Sequence, residues 1–474
     1  MSKQACIVTG LGYGDEGKGT STHWLADHMK AHTVIRIGGP QALHRVVTAK
    51  GENHVFSQFG SGTFTGAATH LSRDMVIDPY ALLREGDYLK YAKGISFIFD
   101  ILTVHEDALV ITPFHAITGR LRELLRGKNR YGSVGIGVGE TVCDAENYPD
   151  DAVRAKDCAH PFLREKLKRI RARKLMEFEE VRDRAAVIPQ EVEQDVRREL
   201  RELEDPDTIE WALEHFTEFT RRIKIVSTGY VRRTIMKKEG TLIIESSQGV
   251  LLDRWYGFHP YTTKVPLLPD VAYQLLEGYD YAGTIRSIGV LRAYATRHGA
   301  GPFVTESPLL TAQLPDETNT THAWQGTFRV GAFDAVLARY ALAVVKRNPF
   351  GGLLLTCVDR VSQGGLWDVC HSYQCSALSS CDTSLFHCDL NNLTDIAVGE
   401  RVDSTLFLKR QERIGVLLGH CKPRNTSYEI PSEKRGATRL CVSTLEEILN
   451  VPVVACSFGP TEQDKRLVKQ YVTK

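Results

Sequence analysis

Residues 12–20, Gly-Tyr-Gly-Asp-Glu-Gly-Lys-Gly-Thr, set a lysine and two adjacent acids among glycines directly after the apolar run Ala5–Thr9. Gly12 to Lys18 fit the pattern G-x-x-x-x-G-K, in which backbone N–H groups and a helix N-terminus face a phosphate and lysine adds a point charge. Gly19 stands where such loops carry the hydroxyl that holds magnesium, and Thr20 comes one place late. A carboxylate beside phosphate is tolerable when it binds Mg²⁺ or takes a proton from a second substrate lying across the phosphates. Asp15 could do both. A partner that stabilises the developing charge is at hand in His44, in the loop after the next strand.

The elements that position these residues read as β–loop–α–β: the strand Ala5–Thr9, the glycine loop, a helix from about Thr20, and a second strand, His-Thr-Val-Ile-Arg-Ile. Further apolar runs (SFIFDIL, ALVIT, TLIIES, FGGLLLTCVD, VPVVACSFGP) are strand candidates, and most end in glycine, serine or an acid. The expected class is α/β: a large, mostly parallel sheet flanked by helices, with ligands at the strand C-termini. Residues 151–222 differ, being highly charged with spaced apolar residues. They read as a helical insertion broken near Pro189 and Pro206, a solvated subdomain or an oligomer contact, within one domain spanning 1–474.

At 474 residues and net charge +1, the balance suggests neither a nucleic-acid nor an acidic-membrane partner. No apolar run reaches membrane-span length, the N-terminus has no secretory pattern, and the 11 cysteines are scattered mostly singly. The expectation is a cytoplasmic protein with reduced thiols. The segment 370–388 holds four cysteines and two histidines at spacings unlike a zinc finger, so buried thiols are expected there rather than a metal.

The motifs GYGDEGKGT, IGGPQALHRVV, IESSQGVLLDRWYGFHPYTT, GVLRAYATRHGAGPFVTE and GTFRVGAFDAVLARYAL, followed by LTCVDRV and SFGP, resemble those of the adenylosuccinate synthetase family in the family's order. The resemblance spans nearly the whole chain apart from 151–222. It implies a GTP- and Mg²⁺-dependent ligase, a homodimer, that phosphorylates O6 of inosine monophosphate and displaces the phosphate with the aspartate amine. By resemblance Asp15 is the base toward purine N1 and a metal ligand, with the carbonyl of Leu43 as a second. His44 is the acid, and Gln248 acts with them. The purine nucleotide would be held by Asp15, Lys18, Gln41, His44, Gln248 and Thr263. GTP would be held by Gly14, Glu16, Gly17, Lys18, Gly19, Thr20, Arg45, Arg329, Asp359, Ser457 and Gly459. Thr320, Thr321 and Arg329 would take the amino acid.

Departures from the family pattern cluster around the substrates. Leu43 and Arg45 replace a glycine and a threonine, and Cys357 replaces the lysine of the guanine motif, whose acid, Asp359, is kept. Where the family has an arginine cluster for a dicarboxylic amino acid, only Arg329 remains beside Thr318, Thr320, Thr321 and His322. His298 stands where the family's purine-contacting loop is apolar. For the family's arginine that reaches the neighbouring subunit's nucleotide, Arg154 is the nearest counterpart. The same chemistry on a different nucleotide (dGMP or GMP) or amino acid is therefore an alternative. A GTP-binding regulator without turnover, or a helical scaffold, are alternatives of another class.

Overall fold

In the computed structural model, which describes residues 3–183, 188–316, 319, 321, 324–346, 350–376, 382–389 and 392–468, the apolar run after Lys3 becomes a central strand, Gln4–Gly10, buried along nearly all its length. Near-continuous apolar strands belong in parallel sheets covered on both faces, and this one pairs in parallel with Thr284–Arg292 on one side and Thr241–Gly249 on the other. The sheet continues outward through Phe350–Thr356 and Val453–Ser457 in one direction. In the other it runs through Ala31–Gly38, Ala68–Ile77, Leu102–His105 and Lys224–Val226. The final strand at the first edge, Lys465–Leu467, is antiparallel to Val453–Ser457. Because the neighbours are otherwise parallel, the C-terminal ends at Gly10, Gly38, Gly249, Thr356 and Ser457 gather along one rim. That rim is where an α/β sheet binds its ligands.

Three sequence expectations are corrected. The run Ser96–Leu102 is not a strand: Ile98 and Asp100 donate their amides to Ile95 and Phe97 in successive turns, and the strand begins only at Leu102. The charged segment does form helices, among them Leu163–Glu177, Glu193–Glu204 and Asp207–Arg222, with the break at Pro206. Its apolar stripe, however, is core: Leu167, Phe216 and Phe219 pack in one cluster with Leu102, Val104 and Phe114 of the sheet side. The thiols of Cys6, Cys158, Cys370, Cys441 and Cys456 are buried and free, whereas Cys388 is disulfide-bonded, against the expectation of uniformly reduced thiols. Among the described residues, no helix is long and apolar enough to cross a membrane.

The core also carries a titratable liability. His70, inside Ala68–Ile77, is fully buried, its Nδ1 2.9 Å from Thr103 Oγ1 and its Nε2 without a partner among the described residues. Burial, with the neighbouring His105, pushes its pKa down to about 3. Below pH 6.5 the unfolded chain takes up a proton that the folded chain refuses, so stability falls with pH across the window from 6.5 to 3. By pH 5 this one ring costs about 2 kcal/mol. Urea unfolding at pH 8 and pH 5 checks it: a His70→Asn variant should lose roughly that much less between the two pH values. Equal losses would remove the assignment.

Candidate active site

The glycine loop leaves the central strand and enters the helix Lys18–His28 through two left-handed residues, Gly14 (φ 117) and Gly17 (φ 90). That path sends the two acids in opposite directions. Glu16 turns inward: its carboxylate accepts the amides of Gly12 and Gly14, both at 2.8 Å, and pairs with the Lys18 ammonium at 2.8 Å. Lys18 also donates to the Gly14 carbonyl and is fully buried. Burial alone would raise the Glu16 carboxyl, but Lys18 and the loop amides hold it below its usual range. Glu16 therefore holds the phosphate loop closed on itself.

Asp15 turns outward, to a cavity of about 480 Å³. No described residue hydrogen-bonds its carboxylate. Burial raises its pKa, opposed by the neighbouring His298, Arg292 and Lys18. Of the residues singled out in the sequence, Gly14, Gln41, Leu43, His44, Gln248, Thr263 and Thr321 border the same cavity. Gln41 Nε2 donates to Thr263 Oγ1 at 3.3 Å, joining two of the expected nucleotide contacts.

His44 begins the hairpin His44–Val47/Asn53–Phe56 and is almost completely buried. Its Nδ1 lies 2.6 Å from Glu245 Oε1 and its Nε2 2.8 Å from the Ser247 carbonyl. Arg36, the Ser61 amide and the Ser61 hydroxyl complete the surroundings of Glu245. Although burial would raise this acid, Arg36 and His44 hold it down at about 2. Burial pulls the His44 ring below its ordinary value and Glu245 pulls it back. With acceptors on both nitrogens, only the imidazolium donates on both sides, and that geometry decides for the charged ring. The close fit explains Gly19. A Cβ there would come within 2.8 Å of His44 Cβ and 2.9 Å of the Arg45 carbonyl, so the hydroxyl-bearing residue usual in such loops is excluded.

The remaining expected contacts divide. Asp359 lies in the first turn of the short helix Val358–Gln363 at the end of Phe350–Thr356, its Oδ1 buried without a partner among the described residues. Ser457 and Gly459 lie at the neighbouring strand end, bonded to each other. Thr20 donates to the Pro460 carbonyl, tying the loop helix to that same end. Arg45 is exposed and bonds Asn53, away from the cavity. Arg329 is spent on Glu306 and the carbonyls of Gly299 and Gly301. Arg154 donates to the Asp107 carbonyl of its own chain. Thr320, with Thr318 and His322, lies outside the described residues.

Sequence reasoning missed two contributors. Glu245 lies within the strand Thr241–Gly249, 201 residues from His44, and although it falls in the quoted IESSQG motif nothing there marked it as the partner of His44. The other is the loop Tyr131–Gly137 leading into the helix Val138–Asn147, which lines the same cavity. Its alternating glycines before a helix were the available signal. Glu123 shapes it by accepting the amides of Tyr131, Gly132 and Ser133.

Comparison with known proteins agrees with this architecture. A family model described as adenylosuccinate synthetase matches residues 7–398. The adenylosuccinate synthetase of Parafrankia sp. (strain EAN1pec) is 28% identical over 490 residues, covering 99% of this chain and 100% of that protein. That of Mycobacterium leprae is 29% identical over 81% of this chain and 84% of its own length. Among solved structures, fully ligated adenylosuccinate synthetase from Plasmodium falciparum superimposes with a TM-score of 0.75 at 17% identity, over 98% of this chain and 99% of that one. Cyanophage S-2L succinoaminodeoxyadenylate synthetase, bound to dGMP and to dATP as an energy donor, gives 0.56 at 17% identity, over 99% and 97%.

Proposed function

The chain belongs to the adenylosuccinate synthetase family of GTP-dependent carbon–nitrogen ligases, and from that premise we propose that it makes adenylosuccinate from inosine monophosphate and aspartate. The observation that carries the reading is the meeting of Asp15 and His44, from two separate loops, at one cavity with Gln41, Gln248 and Thr263. Asp15, whose carboxylate no described residue hydrogen-bonds, takes the N1 proton of the purine, which makes O6 nucleophilic toward the γ-phosphate of GTP. His44, held by Glu245, donates its Nε2 proton in a hydrogen bond to the charge that develops, trading the Ser247 carbonyl for substrate oxygen. Phosphoryl transfer depends mostly on such positioning and charge stabilisation. Loss of phosphate to the incoming amine completes the ligation. The homodimer and a cytoplasmic setting belong to the same family reading.

Mg²⁺ fits the donor set. Among the described residues no cluster of three or more His, Cys, Asp or Glu could hold a metal. Mg²⁺ beside nucleotides is bound by one or two protein oxygens with substrate phosphates and waters, and Asp15 with the Leu43 carbonyl would supply those. The ion would neutralise phosphate charge during transfer.

A second reading keeps the chemistry and exchanges inosine monophosphate for dGMP or GMP. What favours it is His298, which lines the cavity with Nδ1 buried and, among the described residues, unpartnered. The 2-amino group of guanine, next to N1, is a donor that such a nitrogen would accept. Phosphate release with GTP and Mg²⁺, measured for IMP, GMP and dGMP against a panel of amino acids, separates the readings. Turnover with IMP and aspartate is the expected result. Turnover confined to a guanine nucleotide would favour the second reading, and tight GTP binding with no turnover for any pair would overturn both in favour of a regulator.

A further inference from the structure

The strand Lys465–Leu467 sets Lys465 directly opposite Ser457 in the antiparallel ladder, at the rim where Asp359 lies. Lys465 is 3% exposed, and its Nζ donates to Thr20 Oγ1 at 2.7 Å and to the Thr461 carbonyl at 2.9 Å. An ammonium has three donors, so one N–H is left over. Burying a lysine without an ion pair is costly, and among the described residues no carboxylate lies within ion-pair distance of this one. Its surroundings are Asp464 and Glu462 on its own turn, Cys357 and Asp359 from the end of Phe350–Thr356, and Thr20 and His23 from the loop helix. At the strand end, Arg360 donates to the Pro315 carbonyl. Cys357 occupies the place of the motif lysine in a left-handed conformation (φ 60), and its Sγ accepts from Arg292.

We propose that Lys465 faces O6 of the energy-donor base and, together with Asp359, selects guanine over adenine. The proposal rests on the reading of the Asp359 rim as the GTP site. The chemistry is complementary on both sides. The unpartnered Asp359 Oδ1 requires donors, and guanine offers N1–H and N2–H side by side, with the O6 acceptor next to them for an ammonium. Adenine sets a lone pair at N1 where the carboxylate needs a donor, and an amino group at C6 where the ammonium needs an acceptor. The lysine absent from position 357 is in effect supplied from a strand more than a hundred residues later.

Equilibrium binding of GTP, ITP and ATP to the full chain tests it, using wild type, Lys465→Met and Lys465→Arg. ITP keeps O6 and lacks the 2-amino group, so it reports on Lys465 apart from the second Asp359 contact. Lys465→Met should weaken GTP and ITP roughly tenfold or more while changing ATP little, since a hydrogen bond from a charged group is worth that much. Lys465→Arg should retain most of the preference. Burial pulls the Lys465 pKa down to about 8, so wild-type GTP affinity should fall as pH rises past 8, and that of the arginine variant should stay flat. Equal weakening of all three nucleotides in Lys465→Met would show a lysine that only anchors the last strand to Thr20, and would overturn the inference, as would an unchanged GTP-to-ATP ratio. A wild-type protein that binds none of the three, or prefers ATP, would instead sink the GTP reading of the rim.

Discussion

Asp15→Asn is expected to lower turnover by about 10³-fold or more, at the upper part of the range for loss of a general base, while the protein folds as well as wild type or better. Asparagine keeps the shape of the side chain and cannot accept the N1 proton. The stability half of the expectation follows from the site. The carboxylate makes no hydrogen bond within the described chain, so none is lost. Burial holds its pKa above the ordinary carboxylate value in the folded state. A raised acid pKa means that folded stability falls as pH rises through the window just above 3.8, and at neutral pH the ionised group is a burden that the amide removes. The acidic limb of the wild-type rate profile should accordingly lie above the ordinary carboxylate range. Phosphate release and thermal unfolding at pH 7 give both readouts. Activity within tenfold of wild type would exclude Asp15 as the base, and a large fall in melting temperature would show that the carboxylate is structural.

How much of this was open to the sequence depends on the range over which each feature is encoded. The central strand and its loop were legible because a buried parallel strand must be nearly all apolar and a loop into a helix must find residues for its left-handed turns, here Gly14 and Gly17. The same apolar criterion misread Ser96–Leu102, where Ile98 is buried by successive turns rather than by a ladder. The helices of 151–222 could be read from the spacing of their apolar residues, but whether the stripe faced solvent or core could not, since burial needs a partner that lies elsewhere in the chain. Within the site, adjacency in sequence concealed opposite roles. Asp15 and Glu16 are neighbours of like charge, and only the path of the backbone between Gly14 and Gly17 sends one to the cavity and the other into the loop. Glu245 and Lys465 act on residues 201 and 445 positions away, and no local pattern shows which residue each one reaches.

The second large effect is expected from Glu16→Gln, which should destabilise the fold by about 3–5 kcal/mol, the cost of leaving one half of a buried ion pair uncompensated. Glutamine can still accept an amide from Gly12 or Gly14, so what is lost is mainly the charge facing Lys18, which is sealed from solvent. Glu16→Gln with Lys18→Met, both charges removed, should recover a substantial part of the loss, because no buried ammonium is then left alone. The pH dependence has a definite sign. The Glu16 pKa is lowered in the folded protein, so its stabilisation is present above the unfolded value of 4.5 and disappears as pH falls through the folded one. The gap between wild type and Glu16→Gln should therefore narrow in acid. Urea unfolding of wild type, the two single variants and the double variant measures the coupling, and a Glu16→Gln loss below about 1 kcal/mol would show that the pair is not a sealed one. The same pair sets a condition on function. Lys18 and the amides of Gly12 and Gly14 can serve a phosphate only by giving up Glu16, so the variant that loosens the fold should bind a nucleoside triphosphate more tightly. Stability and affinity moving in opposite directions is the signature expected of a phosphate loop held shut by its own carboxylate.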